Sequence, residues 1–364
     1  MTAENFIPQQ AISPKTEGEI TWQSPSNIAL VKYWGKYNKQ LPKNTSLSFT
    51  LNNCLTTTTL EFEKKAAKNT TFSVEVFLDK ERTEAFEPKI ITFFERIEQY
   101  LPFLKNYHFK IFTHNSFPHS SGIASSASGM SALALCLLTM EKEVDKKMTE
   151  DFFYKKASFL ARLGSGSAAR SIQGPLVLWG KHDAIKSSSN LFGTLCTTEI
   201  HKVFKTYQDT ILLVDKGEKK VSSSVGHNLM HNHPFAIQRF EQAQDNIEKL
   251  IAILESGNLE DFIELVESEA LTLHAMMMTS HPYFVLMKPN TLAIIHKVWD
   301  FREKMGVKLC FTLDAGANVH LLYPEKEKTK VLDFIKTQLV AHCQNEQYIC
   351  DEVGYGAKQL VSQS

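Results

Sequence analysis

The sequence predicts an α+β protein of two domains, and three observations carry that expectation. The chain has 364 residues, more than a single hydrophobic core ordinarily serves. Strand-like and helix-like segments come in blocks rather than in strict βαβ alternation. The composition shifts near residues 204–210 and turns more helical beyond, which divides the chain into domains of 1–205 and 206–364.

The elements follow in order. The first 20 or so residues are polar with two prolines, and a loose arm is expected there. Thr21–Thr59 runs β-like, broken by Pro25, Gly35 and Pro42, and Asn53–Leu60 is rich in the threonines that suit a strand. Phe72–Leu78 alternates apolar and polar residues, as a half-buried strand does. Ile90–Leu101 carries apolar residues at helical spacing, and Tyr107–His114 reads as a strand. Helices are expected at Met130–Met140 and from about Thr149 to Leu163, then strands at Pro175–Trp179 and Thr210–Asp215. In the second half, Ile247, Leu250, Ile251 and Leu254 fall on one helical face, and Gly257 is placed to end that helix. Leu259–His274 and Thr291–Lys304 continue the helical pattern. Val307–Leu313 and Val319–Tyr323 read as two strands around a turn, and Lys330–Ala341 as a last helix.

Composition excludes several classes of function. Lys+Arg and Asp+Glu are both 40, so the formal net charge is zero. That argues against a general binder of nucleic acid or membrane surfaces. An anionic ligand would have to be met by a local site. The six cysteines (54, 136, 196, 310, 343 and 350) include no CxxC pair, and several sit in apolar runs. Reduced thiols in a cytoplasmic protein are expected. The N-terminus lacks the basic and long apolar regions of a signal peptide. The longest apolar stretch, around Leu133–Leu138, is far too short to span a bilayer.

Four clusters carry the chemistry. Residues 117–129 form a loop of small residues that feeds directly into an apolar helix. Its backbone N–H groups can face a ligand, and the helix N-terminus adds partial positive charge, so together they suit phosphate. Neither the P-loop lysine nor the three-glycine dinucleotide spacing is present. A Ser/Gly linker before a core helix is the competing reading. Ser26–Lys36 interleaves two lysines and two aromatics at the end of an apolar strand, where a solvated basic turn competes. Gly164–Arg170 again sets small residues before a cation whose fork matches phosphate, or else a helix C-cap with a surface arginine. Asp314 stands in a turn, Thr312–Asn318, that it either shapes or uses. His227, His231 and His233 lie close together, but no carboxylate is placed with them, so no metal site is expected.

Taken in this order, the segments make the chain similar to the GHMP kinase superfamily and, within it, to the mevalonate diphosphate decarboxylases. The resemblance rests on Ser26–Lys36 with Leu41–Ser48, on Phe117–Gly129, on Ala161–Ser171 and on Asp314–Asn318, which together span nearly the whole chain. Lys-Tyr-Trp-Gly-Lys and Gly-Ser-Gly-Ser-x-x-Arg are characteristic of the decarboxylases rather than of the superfamily at large. Two departures stand out: His119-Ser120-Ser121 where relatives often show Thr-Ala-Ala, and Ala317 where they usually have proline.

The resemblance implies an N-terminal domain like ribosomal protein S5 domain 2, a ferredoxin-like C-terminal α/β sandwich, and a site between them. It implies that ATP and mevalonate 5-diphosphate become isopentenyl diphosphate, carbon dioxide, ADP and phosphate, with Mg²⁺ on the nucleotide, in a homodimer. Asp314 and Lys32 would be catalytic. Asn27, Tyr33, Lys36, Ser165, Gly166, Ser167 and Arg170 would hold the substrate, with Arg82 a further match. Ser120, Ser121, Gly122, Ala124, Ser125 and Ser126 would cradle the ATP phosphates. The alternatives are a phosphomevalonate decarboxylase, a mevalonate 3-kinase, or a non-catalytic ligand-sensing relative. Relatives that only phosphorylate lack the Asp–Lys pair, and both members are present here.

Overall fold

A computed structural model of the chain describes residues 1–66, 71–118, 123–217 and 223–360. Two strands dominate the first half: β1 (Glu17–Val31) and β4 (Ser46–Lys64), antiparallel over most of their length. Between them a short hairpin joins β2 (Lys36–Tyr37) and β3 (Leu41–Pro42). Then follow β5 (Ser73–Leu78), β6 (Glu81–Arg82), β7 (Tyr107–Asn115), β8 (Leu176–Trp179) and β9 (Thr194–Leu195). The sheet order is β1-β4-β7-β5-β6, with β8 and β9 added along the first part of β4. β5 and β7 run parallel, so a crossover is required between them. Helix α1 (Glu87–Ile97) makes it.

One face of this sheet is covered by α1, α2 (Ser125–Val144) and α3 (Glu150–Gly164). α2 is buried nearly all round, from Ala127 to Glu141. Its small residues are therefore demanded by close packing as well as by any ligand. Ser26 Oγ donates to the Ile123 carbonyl at 2.5 Å, and Ser131 Oγ to the Ala168 carbonyl at 2.9 Å, which pins the helix entry to β1 and to the segment after α3.

The second half builds a four-stranded antiparallel sheet, β11-β12-β10-β13, from β10 (Gln208–Leu212), β11 (Cys310–Thr312), β12 (Val319–Tyr323) and β13 (Tyr348–Glu352). Its helices are α4 (Ser223–Asn228), α5 (Ala236–Ser256), α6 (Leu259–Met278), α7 (Pro289–Met305) and α8 (Lys328–Phe334). Asn258 caps α6, and Gly257, at φ 78°, ends α5 as the sequence expects. The halves share one core. Ile28, Leu47 and Phe49 of the first sheet pack with Ile247, Leu250 and Val266 of α5 and α6, and with Ile211 and Leu322 of the second sheet. The chain then returns: β14 (Lys358–Leu360) pairs with β1.

Several expectations need correction. The N-terminal arm is not loose, because Phe6 is fully buried and stacks on Phe159 with ring centroids 4.5 Å apart. The last helix does not run on regularly to Ala341. It widens into a π turn at Ile335–Leu339 and ends in a 3₁₀ turn. The strands β13 and β14 carry no strong alternation and are not expected from sequence.

Candidate active site

β1 ends at Val31, and the next residue faces the second half of the chain. Lys32 is 1% exposed, and its Nζ lies 3.0 Å from Oδ1 of Asp314. Asp314 stands on the turn between β11 and β12, so 282 residues of chain separate the partners of this ion pair. The backbone of Lys32 is held on both sides. Its N–H donates to Glu269 Oε2 at 2.8 Å, and its carbonyl accepts from Asn44 Nδ2 at 3.0 Å and from Arg239 at 3.4 Å. Glu269 is itself paired with Arg239 and accepts from Asn246 at 2.6 Å, all three side chains being buried.

Arg170 closes a 3₁₀ turn, Gly166–Arg170, directly after α3. It is buried, lies over the Trp179 ring, and donates to Ser46 Oγ and, at 3.4 Å, to Asn27 Oδ1. Burial pushes its pKa down to about 10, while the charges of Asp314 and Tyr33 oppose that shift. It therefore stays charged at neutral pH. Asn27 donates to Ser171 Oγ at 2.8 Å and to the Ser167 carbonyl at 3.3 Å, so both amide hydrogens are engaged. Asn27 thus supports Arg170 rather than opening onto empty space.

The Tyr33 hydroxyl is buried without a hydrogen-bond partner among the described residues, and burial raises its pKa. A Cβ at Gly166 would come within 2.8 Å of that hydroxyl, so only glycine leaves the phenol room. An orphaned hydroxyl in this position fits an anionic ligand that would accept from it. Ser126 Oγ in the first turn of α2 and Ser165 Oγ at the end of α3 lie 3.2 Å apart. Ala124 precedes α2 with φ 47°, and the first N–H groups after it have no intrahelical partner. Ser125 follows it in the same turn. Ser120, Ser121 and Gly122 lie outside the described residues.

Lys36 is half-buried. Burial lowers its pKa, and the Arg96 guanidinium on α1 lowers it further. Arg96 donates to the Leu163 carbonyl at 2.9 Å, next to Gly164 and Ser165, and has no carboxylate partner among the described residues. Sequence reasoning passed it over in favour of Arg82. Arg82 sits on edge strand β6, paired with Glu87 at 3.2 Å. Four inter-strand steps separate β6 from β1, about 19 Å of sheet width, so the structure does not bring Arg82 to the cluster.

The three histidines do not gather. His227 is buried between the rings of Tyr33 and Trp34, and its Nδ1 accepts from the Gly35 N–H at 2.9 Å. His233 is turned toward the Met276 carbonyl at 3.0 Å, and His231 is exposed. Gly35 is at φ 95°, and a Cβ there would come within 2.9 Å of Phe240. The residue after Trp34 must therefore be glycine for the strand to turn here.

Residues 24–191 match the family model for the diphosphomevalonate decarboxylase-like N-terminal domain, and residues 210–362 that for the mevalonate 5-diphosphate decarboxylase C-terminal domain. The chain belongs to the mevalonate diphosphate decarboxylase family. Its relatives include the diphosphomevalonate decarboxylase of Candida albicans, 29% identical over 86% of each chain. That of Aspergillus fumigatus is 27% identical over 90% of this chain and 82% of its own. Among solved structures, the mevalonate diphosphate decarboxylase of Staphylococcus aureus superimposes with a TM-score of 0.80 at 27% identity, covering 95% of this chain and 98% of its own. So does MDDEF in complex with MVAPP, AMPPCP and magnesium, with a TM-score of 0.80 at 27% identity over 94% and 99% of the two chains. The fold is that of the GHMP kinase superfamily. Among the described residues no helix is long and apolar enough to cross a membrane.

Proposed function

We propose that this family member decarboxylates mevalonate 5-diphosphate at the expense of ATP, giving isopentenyl diphosphate, carbon dioxide, ADP and phosphate. The observation that carries the reading is the Lys32–Asp314 pair at 3.0 Å, set where the two halves of the chain meet. Asp314 orients the tertiary hydroxyl of the substrate and takes its proton as the oxygen attacks the γ-phosphorus. Lys32 favours the ionised carboxylate and hydrogen-bonds beside it. Most of the remaining work is positioning and charge stabilisation. When the 3-phosphate leaves, positive charge builds on the tertiary carbon, and loss of carbon dioxide quenches it with formation of the double bond. Asp314, having released the hydroxyl's proton to water, is ionised again and stabilises that charge.

Arg170, Lys36, Tyr33 and the Ser165–Ser167 segment hold the substrate diphosphate, with Asn27 behind Arg170. The start of α2, from Ala124 to Ser126, holds the nucleotide phosphates through its free N–H groups. No group of three His, Cys, Asp or Glu able to hold a metal occurs among the described residues. With ATP held at the start of α2, Mg²⁺ would supply neutralisation of the phosphate charge. We take residues 1–205 and 206–364 as the two domains, β14 excepted, and a cytoplasmic homodimer as the working form of the enzyme.

The test is a coupled ADP-release assay with mevalonate, its 5-phosphate and its 5-diphosphate, run alongside carbon dioxide capture. The diphosphate is expected to give both products. ADP release without carbon dioxide would sink the decarboxylase reading. Turnover of the monophosphate in preference would move the substrate and keep the reaction.

A further inference from the structure

One helix touches both members of the reacting pair. At Lys32 the β1–β4 ladder has already ended, the last register pair being Val31 with Leu47. Glu269 of α6 supplies the acceptor that the ladder no longer provides, at 2.8 Å from the Lys32 nitrogen. Its carboxylate is fully buried and fixed by Arg239 and Asn246 of α5. Five residues along the same helix, His274 is 1% exposed, and its Nε2 lies 3.1 Å from the Asp314 carbonyl oxygen. A carbonyl can only accept, so Nε2 carries the proton. That carbonyl also closes the turn by accepting the Gly316 N–H at 2.7 Å.

We infer that α6 sets the geometry of the catalytic pair, with Glu269 positioning Lys32 and His274 positioning Asp314. Through these bonds each side chain acts on the backbone of a member of the catalytic pair. Five residues of helix rise by about 7.5 Å, a rigid spacer between anchor points that lie 282 residues apart in sequence. The inference rests on the reaction proposed above. Carbon dioxide release by the wild-type enzyme tests that reaction by itself, so the two can fail separately.

His274→Leu and His274→Gln test the assignment in the full-length enzyme. Loss of the donor lets the Asp314 turn shift, and misplacement of this kind lowers kcat by about 10- to 100-fold. KM for both substrates is expected to stay within about twofold, and the glutamine variant, which keeps a long N–H donor, recovers most of the rate. In an Asp314→Asn background the same leucine substitution is expected to cost less than about twofold, because the group it acts through is gone. Equal losses in the two backgrounds would show a general structural role and overturn the inference. So would an unchanged kcat, or a loss carried by KM instead. If the leucine variant does not fold, His274→Asn takes its place. Its amide is too short to reach the carbonyl, and the same selective loss of kcat is expected.

Discussion

Lys32 and Asp314 form one ion pair, yet the two sides of it are built in opposite ways. Lys32 continues β1, one of the two long strands of the first sheet, is almost wholly buried, and has its backbone N–H and carbonyl bonded by Glu269, Asn44 and Arg239. Asp314 stands on a short turn, its side chain 26% exposed, and that turn is held through backbone carbonyls by His274 and by Thr291, which donates to Ala317 at 2.7 Å. The cation is therefore placed by the folded core, while the carboxylate keeps partial contact with solvent. A base that must accept a proton and then act again as an anion gains from that asymmetry. The lysine keeps the charge balance in place while the carboxylate changes partners.

The comparison predicts opposite outcomes for substitutions on its two sides. Asp314→Asn should cut turnover by about 10²- to 10⁴-fold, the usual worth of a positioned base, and leave nucleotide binding near normal. It also leaves the buried Lys32 ammonium without its counter-charge, so some stability toward urea is lost, but less than where both partners are buried, because the Asp314 side chain is partly solvated. Unchanged turnover would remove Asp314 from the mechanism. On the other side, Arg239→Met leaves the Glu269 carboxylate buried without its cation and should cost about 3–5 kcal/mol of stability. A loss of stability for Asp314→Asn as large as that for Arg239→Met would break the distinction.

The two sides also differed in how readable they were. Lys32, Arg170 and Asp314 stand inside short local motifs whose neighbours are small or aromatic for reasons visible in sequence. Glu269, Arg239 and His274 stand in helices with ordinary apolar periodicity, and nothing local says that a glutamate in such a helix is fully buried. Its partner lies 237 residues away, and only the tertiary fold brings the two together. Arg96 escaped notice for the same reason, since its target is a carbonyl at the end of a different helix. Phe6 gave no period because it is a lone aromatic in a polar run, although the core of α3 closes over it. The strands at Phe72–Leu78 and Tyr107–His114 were legible almost to their ends, and Gly257 marked the end of α5, but the start of α5 at Ala236 and the last turn of α6 to Met278 were not. The short strands β13 and β14 were not, because pairing rather than composition defines them.

The buried side should also respond to acid. Burial, then the charges of Lys36 and Arg170, push the pKa of His227 from 6.5 down to about 3. Below pH 6.5 the unfolded chain takes up a proton that the folded one refuses, so stability falls as pH drops from about 6.5 toward 3. His227→Asn keeps an acceptor for the Gly35 N–H and removes the proton site. Its unfolding free energy should fall less steeply than that of the wild type across this window, as followed by urea titration at several pH values. Identical slopes would mean that His227 is not held neutral by the fold.

Arg96 sharpens the comparison at its smallest scale, since it is only partly buried and stands outside the Glu269 network. Two roles are open to it. As a cap on the last carbonyls of α3 it would contribute stability alone. As a neighbour of Lys36 with N–H groups beyond the one given to the Leu163 carbonyl, it would contribute to holding a substrate diphosphate. Replacement by glutamine keeps a donor for the Leu163 carbonyl and removes the charge. The capping role then predicts an unchanged KM. The phosphate role predicts a loss of about 1 kcal/mol, which is roughly a fivefold rise in KM for the diphosphate substrate with kcat preserved. That rise should shrink as salt is added, because a partly exposed charge is screened. Arg96 stands beside Lys36 and has no carboxylate partner of its own among the described residues, and that placement favours the second outcome.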